Sequence, residues 1–179
     1  MKQVLTLLSF AFLTAASFAQ KQPDLNLTNA LVVSHMNNQE DRFSLEVAIS
    51  EVLADHGIKN AVSLNMLKQG GDPQVLLTDS VTQLLASKGI NTMMLVSIRG
   101  YDRKFKLSKN KMTLAEDLAV ENLFSLYKDE IVSVTLEFHF YRNGVQVYSD
   151  LLKIGGISSR DGVMKKVRKK LGKRVNKWK

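Results

Sequence analysis

Cysteine is absent from all 179 residues, which excludes disulfides, thiolate metal ligation and lipid attachment through a cysteine, so stability has to come from a packed core. Histidine occurs three times, at His35, His56 and His139. These fall on an expected strand end, a helix end and a strand face, without the spacing of a metal centre. The tightest pair, Glu137 with His139, still lacks the further ligands a metal takes. No G-x-S-x-G elbow or serine in a nucleophile context is present. The close glycine pairs Gly70-Gly71 and Gly155-Gly156 make no phosphate-binding loop. Catalytic, cofactor-binding and metal-binding residues are therefore not expected, and neither is an enzyme. Paired carboxylates, Glu116-Asp117 and Asp129-Glu130, sit away from strand ends.

Long apolar runs are also scarce. The one at the start, Val4 to Leu13, follows Lys2, turns to small residues at Thr14 to Ser17 and reaches Ala19 before Gln20. This is the pattern of a cleaved signal peptide over residues 1–19. As a membrane anchor it would be too short and is broken by Thr6, Ser9 and Thr14. Removing it leaves 160 of the 179 residues, a size at which one domain buries roughly 70% of its unfolded surface. An exported chain without disulfides fits a bacterial envelope, periplasmic or extracellular, and Asn26-Leu27-Thr28 is discounted as a glycosylation site.

The formal charge of +8 is unevenly placed. Residues 160–179 hold ten basic side chains and one acid, Asp161, a surplus of nine that leaves residues 20–159 at −2 once Lys2 is removed. The basicity belongs to one terminal segment and is no signature of nucleic-acid binding by the domain.

Residues 20–29 read as a short leader containing Pro23. Ala30 to Met36 is an apolar run of strand length, and Asp41 to His56 carries Leu45, Ala48, Ile49, Val52 and Leu53 at helical spacing before Gly57. The unit repeats, with a strand over Ala61 to Leu67, a turn at Gly70-Gly71-Asp72-Pro73 and a helix over Val75 to Lys88 before Gly89. Thr92 to Ile98 supplies a third buried strand. Alternation of this kind predicts parallel pairing through crossovers.

Beyond residue 130 the period changes to two. Val132, Val134, Leu136, Phe138 and Phe140 alternate with Ser133, Thr135, Glu137, His139 and Tyr141, predicting a strand with one buried and one polar, exposed face. Asn143-Gly144 predicts a hairpin turn, with Val145 to Ile154 returning antiparallel. The insert over residues 107–130 contains the capping box Thr113-Leu114-Ala115-Glu116 and apolar Leu118, Leu123, Phe124, Leu126 and Tyr127, as either a lid or a plug. Residues 159–179 form a cationic helix with Ser158 or Ser159 as N-cap and a narrow stripe of Met164, Val167, Leu171, Val175 and Trp178. The fold class is α/β: one mixed sheet of about five strands covered by helices, in a single domain over residues 30–179.

Two surfaces stand out. Arg99, Tyr101, Asp102, Arg103 and Lys104 continue from the third strand; strand geometry would put Arg99, Tyr101 and Arg103 on one face, where arginine and tyrosine suit partner recognition. Lys165, Lys166, Lys169, Lys170, Lys173, Arg174 and Trp178 suit an anionic partner or membrane surface. If the stripe packs on the sheet, the lysines become its solvated outer face. Arg174 to Lys179 would then extend past the sheet.

The order strand-helix-strand-helix-strand, insert, hairpin, helix resembles small domains of the Gram-negative envelope: the N-terminal domain of the Tol translocation propeller protein, the curli secretion lipoprotein and the lipoprotein activators of penicillin-binding proteins. The segments Val62-Ser63-Leu64-Asn65-Met66-Leu67-Lys68-Gln69-Gly70, Val96-Ser97-Ile98-Arg99-Gly100-Tyr101-Asp102 and Phe140-Tyr141-Arg142-Asn143-Gly144 are similar to stretches of small exported bacterial proteins. The resemblance implies an envelope accessory role without catalytic residues, although the lipobox cysteine of the lipoprotein members is missing. The expected function is a binding module docking an envelope protein or a cell-wall component through sheet edges and loops. Alternatives are peripheral membrane association through the cationic helix and a small envelope hydrolase.

Cleavage after Ala19 makes Gln20 the first residue of the mature chain, because Ser17 and Ala19 offer the small side chains signal peptidase accepts. Intact-mass measurement of protein recovered from outside the cytoplasm should show this terminus, and a retained Met1 would remove the argument for export.

Overall fold

The computed structural model describes residues 24–67 and 71–179. The segment expected to be a signal peptide, residues 20–23 of the expected leader and Gly70 of the turn lie outside them. Five strands, β1 (Asn29–Ser34), β2 (Lys59–Val62), β3 (Met93–Tyr101), β4 (Ser133–Arg142) and β5 (Val145–Gly155), form one open sheet in the order β2-β1-β3-β4-β5. β1 pairs in parallel with β2 and β3, whereas β3-β4 and β4-β5 are antiparallel. The helices are α1 (Gln39–Asp55), α2 (Asp79–Ser87), α3 (Leu114–Ala119) and α4 (Arg160–Trp178). This is the mixed α/β sheet expected. The turn residues Asn143 and Gly144 both hold positive φ, 52° and 74°, as a two-residue hairpin loop requires.

Two elements are shorter than their apolar patterns. The second strand ends at Val62 and passes into a 3₁₀ turn at Ser63–Asn65. The cause is Glu46, fully buried on α1, whose carboxylate accepts hydrogen bonds from Ser63 Oγ at 2.7 Å, Leu64 N at 3.2 Å and Ser34 N at 2.9 Å. That charge ties together the ends of β1 and β2, and the backbone turns to reach it. The expected helix from Val75 splits into a 3₁₀ turn, Pro73–Leu77, and α2. Thr78 breaks it, since its extended backbone starts a new helix and its hydroxyl donates to Val75 O at 2.7 Å.

Helices cover both faces of the sheet. Leu45, Ala48, Ile49 and Leu53 of α1 join the α4 stripe on Ala30, Val32, Val96, Val134, Leu136, Phe138 and Phe140. On the other face α2, the 3₁₀ turn before it and α3 bury Leu76, Val81, Leu85 and Leu118 against Leu31, Val33, Leu95 and Tyr141. The second face of β4 is therefore not exposed as its polar residues suggested: Ser133, Thr135, Glu137 and Tyr141 are buried. Val132, assigned to the strand from its period, lies just before it and is 62% exposed.

α4 begins at the expected N-cap, where Ser159 Oγ accepts from Gly162 N at 3.1 Å. Its stripe is buried throughout, and its last turn does not extend past the sheet. Trp178 is fully buried, its ring 5.2 and 5.0 Å from those of Phe138 and Phe140, and its indole N–H donates to Asp150 Oδ2 at 3.0 Å. Its carbonyl accepts from Leu27 N at 2.7 Å, which fastens the leader to the helix end. Trp178 is thus a core residue and presents nothing to a membrane. Gly172, a helix-weakening residue by propensity, sits where an added Cβ would come within 3.1 Å of the His56 ring at the end of α1.

Replacing Trp178 by alanine is expected to cost about 3–5 kcal/mol and to lower the melting temperature by roughly 10 °C. Truncation after Arg160 should abolish folding. Native circular dichroism and an unchanged melting temperature in the truncated chain would show that α4 is dispensable.

Candidate functional site

α3 carries Asp117 onto the polar face of β4, and one carboxylate oxygen there receives two donors. His139 Nδ1 lies 2.5 Å from Asp117 Oδ2, and the Tyr141 hydroxyl donates to the same oxygen at 2.6 Å. On the far side of the imidazole, Glu137 Oε1 stands 3.6 Å from His139 Nε2, and Arg99 Nη1 of β3 stands 3.6 Å from Glu137 Oε2. The result is a line of alternating charge, Asp117, His139, Glu137 and Arg99, across the covered face.

Burial by itself would lower the pKa of His139, but the hydrogen bonds and charges of Asp117 and Glu137 overcome it and push the value up to about 9. Burial would raise that of Asp117, yet the donors His139 and Tyr141 hold it below its ordinary 3.8. Burial and the Asp117 charge raise Tyr141. His35, at the carboxyl end of β1, is lowered by burial, with the Asp117 charge opposing and Arg42 assisting. A histidine held protonated between two carboxylates is a counter-ion and not a base. Among the described residues no group of three or more His, Asp or Glu is arranged to hold a metal ion. The pair Glu116-Asp117 lies away from strand ends in the sequence, and no local pattern joins Asp117 to His139, 22 residues on; the capping box at Thr113, which starts α3 as expected, is the one local signal that this segment is ordered.

The segment Arg99 to Lys104 does not form one recognition face. β3 carries a bulge between Ile98 and Gly100, and an extra residue reverses the alternation of side chains. Arg99 consequently reaches Glu137 on one face, while Tyr101 packs toward the α1 and α4 side. Gly100 permits the bulge: its φ is +144°, and a Cβ there would stand 2.7 Å from the Phe105 ring. Tyr101 donates its hydroxyl to Ser125 O at 2.5 Å, meets Phe124 edge-on at 5.3 Å and lies beneath Lys128 Nζ at 5.0 Å. Asp102 accepts from Val132 N, Ser133 N and Ser133 Oγ, which fixes the start of β4. Arg103 offers its carbonyl to Lys153 Nζ at 3.3 Å, and both Arg103 and Lys104 are exposed.

The insert over residues 107–130 divides its apolar residues. Leu118 and Leu126 are buried and Leu126 N donates to Asp41 Oδ2 at 2.8 Å, so the segment is anchored at both depths. Leu123, one of the apolar residues available to pack down, is 74% exposed, and Phe124 is 44% exposed.

The cationic residues of α4 do converge. Between α4 and the outer strand β5 lies a groove of about 510 Å³ lined by six cations, Lys153, Lys166, Lys169, Lys170, Lys173 and Arg174, over Leu152 and Gly155. Four have protein partners, Lys153 through the Arg103 carbonyl already described. Lys166 Nζ donates to the carbonyls of Gly155 and Gly156, Lys170 Nζ donates to Lys153 O at 3.0 Å, and Arg174 Nη1 is 3.3 Å from Asp150 Oδ1. Lys169 and Lys173 have none among the described residues, and Lys165 and Lys177, likewise unpaired, extend their row one turn in each direction. No described helix is long and apolar enough to cross a membrane.

No family model matches the chain, and no curated protein matches it. Among solved structures, the chain is similar to the PelC dodecamer from Paraburkholderia phytofirmans, at 12% identity, TM-score 0.44 and 84% coverage of this chain and 89% of that one. It is also similar to lipoprotein GNA1162 from Neisseria meningitidis, at 11% identity, TM-score 0.44 and coverage of 83% and 98%.

The charge line makes stability depend on pH. The folded pKa of His139 lies above its ordinary 6.5, so its contribution is complete below about pH 6.5 and is lost as pH rises through about 9. Asp117 has the opposite sign, and its contribution is present above its ordinary 3.8 and lost as pH falls. Unfolding in urea is expected to show a decline of roughly 3 kcal/mol between pH 6.5 and 9.5, which His139→Gln flattens. Equal stability of the wild type at the two pH values would refute the assignment of a protonated His139.

Proposed function

We propose that the protein is an exported, non-catalytic accessory module of the bacterial cell envelope that docks an anionic partner in the groove between α4 and β5. The observation that carries this reading is the groove, where six cations meet, one of them paired with a carboxylate, Arg174 with Asp150, and two of them, Lys169 and Lys173, without any partner among the described residues. Unpaired lysines of like sign repel one another across one helical turn, a cost that an anionic partner would relieve. The surplus of nine positive charges over residues 160–179 stands against a slightly acidic remainder, so the attraction is directional and steers encounter to this side.

Three features support the rest of the reading. The N-terminal pattern of charge, apolar run and small residues supports export. The best-formed cluster of titratable side chains neutralises itself, His139 between Asp117 and Glu137, which supports a non-catalytic role. Arg99, Tyr101 and Asp102 are engaged within the domain, which moves the partner surface from their segment to α4. Membrane association through the helix is disfavoured because its apolar stripe is used in the core.

Protein lacking residues 1–19 should sediment with isolated cell envelopes at low salt and be released by 0.5 M NaCl, as expected when the Debye length shrinks below about 5 Å. The double substitution Lys169→Glu and Lys173→Glu should weaken sedimentation at least tenfold without changing the melting temperature. Undiminished sedimentation of that variant would exclude the groove.

A further inference from the structure

Resting on the groove as the docking surface, we infer that its occupant is a single strand of a carboxylated polysaccharide, held by the row Lys165, Lys169, Lys173 and Lys177 along one side of α4. Four residues of α-helix rise about 6 Å, so the row presents a cation roughly every 6 Å over three steps. None of the four has a hydrogen bond or ion pair among the described residues. Lys169 and Lys173 stand in the groove wall, with Lys153 on the opposite side. A linear polymer with a charge on each repeat can meet several of these at once. Its binding is then the sum of modest, salt-screened contacts.

The shape and chemistry of the groove argue against the other polyanions. A bilayer surface is broad and cannot enter a cleft of about 510 Å³ between a helix and a strand, and α4 has no free apolar face to insert, since Met164, Val167, Leu171, Val175 and Trp178 are all buried. An acidic peptide would bind a sheet edge through main-chain hydrogen bonds. Here the outward carbonyls of Lys153 and Gly155 are already taken by Lys170 and Lys166, and Leu151 N is taken by Asp150 Oδ1 at 2.7 Å. Single-stranded nucleic acid is held through aromatic platforms as well as charge, and the lining contains no aromatic residue. A polymer that asks only for cations and supplies no main-chain donors or bases fits what remains.

The test uses the chain without residues 1–19 and four probes: polygalacturonate, poly-L-glutamate, the oligonucleotide dT20 and vesicles of phosphatidylglycerol with phosphatidylethanolamine. Polygalacturonate is expected to bind best, with affinity falling at least tenfold between 20 and 200 mM NaCl. Lys169→Glu with Lys173→Glu should reduce it at least tenfold, whereas the equal charge change Lys88→Glu with Lys109→Glu, on exposed sites away from the groove, should leave it within twofold. Thermal unfolding confirms that each variant is folded. Tighter binding to vesicles, dT20 or polyglutamate than to polygalacturonate would overturn the inference, as would equal loss in both double variants. If no probe binds while envelope sedimentation still depends on Lys169 and Lys173, the polysaccharide is wrong and the groove stands; if sedimentation is also indifferent to them, both readings fall.

Discussion

One carboxylate oxygen, Asp117 Oδ2, makes the two-sided burial of this sheet tolerable. β4 runs through the interior with Glu137, His139 and Tyr141 on a face that α2 and α3 cover, and a buried ionised group without a partner costs several kcal/mol. The insert supplies the missing charge, placing Asp117 within hydrogen-bonding distance of both His139 and Tyr141. Arg99, raised from β3 by the bulge, completes the neutralisation from the other end. The position of α3, the seal over the second core cluster and the course of the insert all follow from satisfying that line of charges.

α4 solves the corresponding problem on the opposite face with apolar contacts, and its polarity is then divided by geometry. The stripe closes on Phe138 and Phe140, and Asp150 receives both the Trp178 indole and the Arg174 guanidinium. With that side committed, the remaining lysines face outward, and two of them cap the carbonyls of β5. A sheet edge blunted by lysine is protected from pairing with another chain. The other edge, β2, is only four residues long. Both edges of this open mixed sheet are thus poor templates for a further strand, which favours the proposed docking by charge.

Glu46 shows the same logic on a smaller scale. A fully buried carboxylate gathers Ser34 N, Ser63 Oγ, Leu64 N and Arg42 Nε at 3.3 Å, and the chain sacrifices the second half of an apolar strand to make those bonds. Local β-propensity over residues 63–67 loses to a single charge that has to be satisfied.

Sequence alone determined the element order, the mixed sheet, the hairpin at Asn143-Gly144, the capping box of α3, the apolar stripe of α4 and the confinement of positive charge to residues 160–179. Each is written in a period of two or near 3.6, in a turn dipeptide, or in a count of charges, and such signals act between residues a few positions apart. Tertiary structure decided the burial of the second face of β4, the meeting of Asp117 with His139 and of Glu46 with Ser63, the split of Arg99 from Tyr101 across the bulge, and the groove that unites Lys153 with α4. These depend on contacts between residues distant in the chain, and one bulge residue inverts the faces of all that follow it. Alternation reveals which residues share a face but not what covers it, because a polar face becomes buried only when another segment brings the charges that neutralise it.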